Sequence, residues 1–147
     1  MPYELNVQKI PLFEVPMEDV EPNPTPDRPV VLVVDDERII ADTRAAILTG
    51  WGYAVMTAYN AECALEMARR NPPEVLVSSL SLKRMNGADL ARAVRTKSSD
   101  CRVILLSALA ESDSLIASGR NPGSNFTLVQ KPIHPSELQV LLPEIRR

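Results

Sequence analysis

Val30-Val-Leu-Val-Val-Asp-Asp-Glu37 is the stretch whose reading decides the fold. Four valines and a leucine in unbroken succession make a strand with apolar side chains on both faces. A parallel sheet covered by helices on either side requires such a strand. Asp35 and Asp36 end the run, and Ile39, Ile40, Thr43 and Ile47 follow at helical spacing. A strand, a polar break and a helix form one unit of a βα pattern.

Downstream the pattern repeats. Gly50-Trp-Gly52 closes the first helix, Ala54 to Ala58 reads as a second strand, and Asn60 caps a helix that turns Ala64, Leu65 and Ala68 inward. Pro72-Pro73 stops that helix. A third strand, Glu74 to Ser78 or Ser79, leads through a loop with Asn86-Gly87 to a helix carrying Leu90, Ala91 and Val94. Arg102 to Leu106 is the fourth strand, followed by Ser107, a weaker helix over Glu111 to Ser118 and the turn Asn121-Pro-Gly123. The fifth strand, Phe126 to Gln130, runs into Lys131-Pro132. Pro135 then opens a last helix through Leu138, Leu141 and Leu142, which Pro143 should end or bend. Alternation of strands and helices in this order predicts an α/β domain around a parallel sheet.

The region before Val30 differs in kind. Residues 1–29 hold seven of the thirteen prolines, and Pro22-Asn-Pro-Thr-Pro26 lacks every second backbone donor, so this reads as an arm and linker. Its first part supplies apolar side chains from Tyr3 to Val15 that could lie against a surface or a second copy of the chain. The 147 residues suit one domain with a real core. Mixed charges with a net of -3 provide no basic stripe, so nucleic-acid binding by this chain is not expected. Cys63 and Cys101 have neither metal-ligand spacing nor a disulfide framework and are expected to be buried thiols in a reducing compartment. No stretch approaches the roughly 18 apolar residues of a membrane span, and the N-terminus lacks the order of a signal peptide. A cytoplasmic chain without membrane contact is the expectation. Only Glu144-Ile-Arg-Arg147 follows the last helix, so no output domain is expected after it.

In an open parallel sheet the functional crevice lies beyond the carboxyl ends of the strands. Asp35, Asp36, Ser79, Ser107 and Lys131 all fall at such ends. Across Val30 to Leu142 these motifs resemble, in order, the receiver domain of bacterial response regulators. The resemblance implies a doubly wound five-stranded parallel sheet of order 2-1-3-4-5 with five flanking helices, a flavodoxin-like three-layer sandwich over residues 30–147. It also implies that Asp35 and Asp36 match the acidic pair that helps bind Mg²⁺. Ser107 matches the hydroxyl that senses a phosphoryl group, and Lys131-Pro132 the lysine that contacts it, set before a cis-prolyl bond.

Two switch positions, and one residue of the loop between them, depart from the family pattern. Ser79 stands where the family places its phosphate-accepting aspartate, a register set by Met85 and Gly87, with Lys83 where the family has proline. Leu128 stands at the switch position, where an aromatic ring usually swings inward. An aspartate is a ready nucleophile because it is ionised, whereas a serine hydroxyl is protonated at neutral pH and needs a base. The one histidine, His134, lies past the lysine at the expected cap of the last helix. With one of three carboxylates gone, Mg²⁺ should be held only weakly by Asp35 and Asp36, or not at all.

The reading is therefore a pseudo-receiver: a non-enzymatic signalling module of a two-component or phosphorelay system that binds a histidine kinase or a downstream effector. The resemblance puts the contact or homodimer face on the fourth helix, fifth strand and fifth helix, around Leu115, Leu128 and Leu138, with the N-terminal arm as another dimer contact. Two rival readings stand beside it: a receiver that accepts phosphate at an unusual residue, and a small serine hydrolase using Ser79, which lacks a Gly-x-Ser-x-Gly elbow. Plainer readings exist for single residues. Asp35 and Asp36 could serve only as helix-capping acids, Lys131 as a solvated charge or a partner of either aspartate, and Ser107 as structural filler.

Overall fold

The computed structural model describes residues 28–107 and 126–143. Five strands form one parallel sheet: β1 (Val30–Val34), β2 (Ala54–Ala58), β3 (Val75–Ser79), β4 (Arg102–Ser107) and β5 (Phe126–Gln130). Their spatial order is β2-β1-β3-β4-β5, the doubly wound order expected. Four helices lie among the described residues: α1 (Arg38–Gly50), α2 (Ala61–Arg70), α3 (Gly87–Lys97) and α4 (Pro135–Leu141). The helix expected over residues 111–118, the turn after it and the arm over residues 1–27 lie outside the described residues.

Alternation along each strand divides the core into two layers. Val30, Leu32 and Val34 of β1 face α2 and α3 through Ala64, Ala68, Leu90, Ala91 and Val94. Val31 and Val33 face the other way, with Ala41 and Leu48 of α1 and Leu138 of α4. All five residues of β1 are buried, as are all five of β3, because helices cover both faces of these central strands.

Local chemistry sets the element ends. The Asn60 side chain accepts a hydrogen bond from Cys63 N at 2.7 Å, and the Asn86 side chain from Asp89 N at 2.8 Å, each satisfying a donor that its helix leaves free. His134 caps α4 in a reciprocal box with Glu137, and Pro135 occupies the first turn. Leu142 is extended (φ -94°, ψ 154°), the conformation a following proline favours, so α4 stops before Pro143. Gly52 turns the chain out of α1 with φ 104°.

Packing settles which helix faces turn inward, and two expectations, for Cys63 and Leu138, are corrected by it. On α1 the buried stripe is Ala41 and Leu48, while Ile39 is 80% exposed and Ile40 38%. Small alanines let this helix approach the sheet, and the isoleucines of the first turn are left outward. Cys63 is exposed and only Cys101 is buried, because Ala61, Ala64 and Ala68 occupy the inner face of α2. Leu138, expected at a contact face, is 3% exposed and belongs to the core; Val140 is the large apolar residue of α4 that reaches solvent, at 83%. Leu128 is half-buried on β5, opposite Leu105, and Leu115 lies outside the described residues. Among the described residues no helix is long and apolar enough to cross a membrane.

Candidate functional site

The carboxyl ends of β1, β3, β4 and β5 converge, and they bring Asp35, Ser79, Ser107 and Lys131 to one rim. Asp35 follows β1 directly and is 1% exposed; Ser79 ends β3 at 2% and Ser107 ends β4 fully buried. Backbone bonds hold these ends in place. Leu80 N donates to Leu106 O at 2.8 Å, and Lys131 N to Ser107 O at 2.7 Å. The Lys131-Pro132 peptide bond is cis, as the family resemblance implied.

Lys131 is the hub of the pocket. Its Nζ donates to Ser79 Oγ at 3.0 Å and lies 3.7 Å from Asp35 Oδ2. Of the two aspartates it therefore pairs with Asp35. Asp36 is the more exposed neighbour, half-buried at the rim. Asp35 does not cap α1, whose N-cap is Glu37 without a side-chain cap bond; its Oδ1 accepts from Glu37 N at 3.0 Å, just before the helix. Ser79 Oγ donates in turn to Ser81 O over a long 3.4 Å.

One participant escaped the sequence reading. Arg44 of α1 is 12% exposed and brings Nη1 to 3.5 Å from Asp35 Oδ2. Burial pushes its guanidinium below the ordinary value, and the charge of Asp35 pulls it back up. A signal was present in the chain: Arg44 falls three residues after Ala41 and four before Leu48, on the stripe that packs inward. A basic residue on an otherwise apolar stripe asks for a buried counter-charge.

Receiver resemblance implies a Mg²⁺ ion beside the acidic pair, and the donor set here does not match its needs. Where the resemblance implies a third carboxylate, Ser79 offers a hydroxyl, already hydrogen-bonded by the Lys131 ammonium. Asp35 Oδ2 faces two cations within 3.7 Å. Mg²⁺ demands an oxygen shell with anionic members, and both cations repel it from the most buried one. Among the described residues no three His, Cys, Asp or Glu side chains gather as metal ligands.

His134, the base a serine nucleophile would call for, is exposed and occupied elsewhere. Its Nδ1 accepts from Ser136 N at 3.1 Å and lies 2.8 Å from Ser136 Oγ, at the head of α4.

Comparison with known proteins bears on the same region. The family model for the response regulator receiver domain matches residues 31–142. The probable transcriptional regulator ycf27 of Porphyra purpurea is 36% identical over 120 residues, which are 80% of this chain and 47% of that protein. The probable transcriptional regulatory protein TcrX of Mycobacterium tuberculosis is 32% identical over 117 residues, 80% of this chain and 49% of that one. This chain thus spans about half the length of the curated relatives it matches. Among solved structures, a putative response regulator from Chloroflexus aurantiacus aligns with a TM-score of 0.66 at 29% identity, covering 77% of this chain and 93% of that one. A response regulator receiver domain protein from Clostridium thermocellum shares the fold, with a TM-score of 0.69 at 23% identity over 77% of this chain and 90% of its own. A buried aspartate after the first strand, a lysine before a cis-proline and a matching family model over most of the chain lead to one assignment: this chain belongs to the response regulator receiver domain family.

Proposed function

We propose that this chain is a receiver-type module of a two-component or phosphorelay system that is not phosphorylated at the family's usual position and signals by protein contact alone. Residues 30–147 form the module, and residues 1–29 an arm and linker. The observation that carries the reading is the Lys131 Nζ to Ser79 Oγ hydrogen bond of 3.0 Å. An ammonium has three donors and no lone pair, so it engages the hydroxyl oxygen without being able to take its proton. A carboxylate at that position is already ionised and needs no base to attack phosphorus; a hydroxyl needs one and has none there.

The partners follow from the family: a histidine kinase, or an effector that reads the surface around β5 and α4. Mixed surface charge argues against nucleic-acid contact by this chain, although the relatives above carry the names of transcriptional regulators. No reaction is assigned to Ser79, and the module is read as a binding domain without enzymatic activity.

Incubation with acetyl phosphate and Mg²⁺, followed by intact-mass measurement, tests this. The expected result is an unmodified chain. A stoichiometric adduct that hydroxylamine removes would mark an acyl phosphate and establish an ordinary relay receiver with an unusual acceptor.

A further inference from the structure

Asp35 receives two cations, one from the helix that follows it and one from the end of β5. Arg44 Nη1 stands 3.5 Å and Lys131 Nζ 3.7 Å from the same oxygen, Oδ2, while Oδ1 is used by the backbone of Glu37. Lys131 is a family feature and is 33% exposed; Arg44 is neither expected nor well solvated, at 12%. Asp35 Oδ2 and Arg44 Nη1 are both buried, and neither makes a hydrogen bond. What joins them is charge at short range, where water screens it little.

We propose that Arg44 is a tethered counter-cation which performs, in this pocket, the neutralising work that a divalent ion performs beside three carboxylates, and which bars such an ion from Asp35. The charge count supports it. Three carboxylates with one lysine would leave two negative charges, matching one Mg²⁺. Here Ser79 removes one negative charge and Arg44 adds one positive charge. The two negative charges of Asp35 and Asp36 are then matched in number by Lys131 and Arg44, both of which lie against Asp35, with no ion at all. Arginine suits the task because its guanidinium stays charged when buried and loses less hydration than an ammonium. The inference concerns Arg44 and Asp35 and holds whether or not Ser79 can be phosphorylated.

Mn²⁺ binding to the full chain, followed by electron paramagnetic resonance, tests it with two variants. Arg44→Met keeps much of the stem and removes the charge; it should tighten Mn²⁺ binding about tenfold or more, since a like charge next to the ion has gone. Arg44→Lys keeps the charge and should bind Mn²⁺ as weakly as the unaltered chain. Equal affinity in Arg44→Met and the unaltered chain, or equal tightening in both variants, overturns the proposal. Stability supplies a second readout should Arg44→Met fold poorly. Combining it with Asp35→Asn removes both charges and should recover folded protein, because the two sites are coupled. Losses that simply add, or a double variant that folds no better than Arg44→Met, overturn it equally.

Discussion

Gly87→Ala and Gly50→Ala make the same chemical change in opposite surroundings, and the structure assigns them opposite signs. A Cβ at Gly87 would stand 2.3 Å from Ser79 O, 3.0 Å from Leu80 Cα and 3.1 Å from Ser79 C. Non-bonded heavy atoms rest near 3.5 Å, so the start of α3 and the end of β3 would have to separate by about 1 Å. The backbone resists this. Gly87 N donates to Leu80 O at 2.7 Å, and Leu80 N to Leu106 O at 2.8 Å, so retreat stretches the bonds that tie the loop to the sheet. Overpacking of this kind costs about 1–3 kcal/mol, while the helix propensity gained over glycine returns at most about 1 kcal/mol and less in a first turn. A net loss of about 1–2 kcal/mol is expected. At Gly50 nothing lies within 4 Å of the added methyl, so only propensity and the stiffer unfolded chain act, and a gain of about 0.5–1 kcal/mol is expected. Equilibrium urea unfolding, read by far-ultraviolet circular dichroism, measures both. A Gly87→Ala chain as stable as the original, or one shifted in the same direction as Gly50→Ala, would refute the packing of the 79–87 loop. The register on which the family resemblance puts Ser79 at the acceptor position would fall with it.

Ser79→Asp adds a third carboxylate at a position only 2% exposed, beside Asp35; it should lower metal-free stability by about 1–3 kcal/mol, and Mg²⁺ should offset that loss only when Arg44→Met is present as well. A Ser79→Asp chain whose thermal unfolding matches that of the original would count against the pocket assignment. Burial pushes the Cys101 thiol up to about 11, so at pH 8 it is both covered and protonated, whereas Cys63 is exposed. Alkylation of the native chain should therefore stop at one adduct, on Cys63, until urea is added; equal rates at both thiols would disprove the packing. The Tyr59 phenol is raised above its ordinary value by its hydrogen bond to Asp42 first and by burial second. Its folded value lies above its unfolded one, so its contribution to stability is fully present below about pH 10 and is lost as pH rises through the folded value. Ultraviolet titration should find Tyr59 above the tyrosines of the unfolded chain, and Asp42→Asn should bring it down.

Much of this fold was legible because its signals are local. β-branched runs mark β1 and β3, asparagine side chains mark the starts of α2 and α3, and the His134-Pro135 pair marks α4. Lys131-Pro132 and the acidic pair were legible for the same reason: each lies at a strand end, and strand ends are punctuated in the chain. Cys63 and Leu138 were misread because periodicity identifies the residues that share a helix face without showing which face meets the sheet.

The helix after β1 shows where local information runs out. It carries two stripes, Ile39-Ile40-Thr43-Ile47 and Ala41-Arg44-Leu48, and hydrophobicity favours the first. Packing chose the second, since alanine allows close approach and Arg44 finds Asp35 there. Sequence alone determined the α/β class, the strand-end constellation and the hydroxyl at position 79, all of which depend on neighbours within a few residues. Only the tertiary structure decided which aspartate Lys131 meets and that Arg44 completes the charge balance. Lys131 lies far from Asp35 in the chain, Arg44 reaches it only once its helix has chosen a face, and the energy of a charge depends on what lies around it in space.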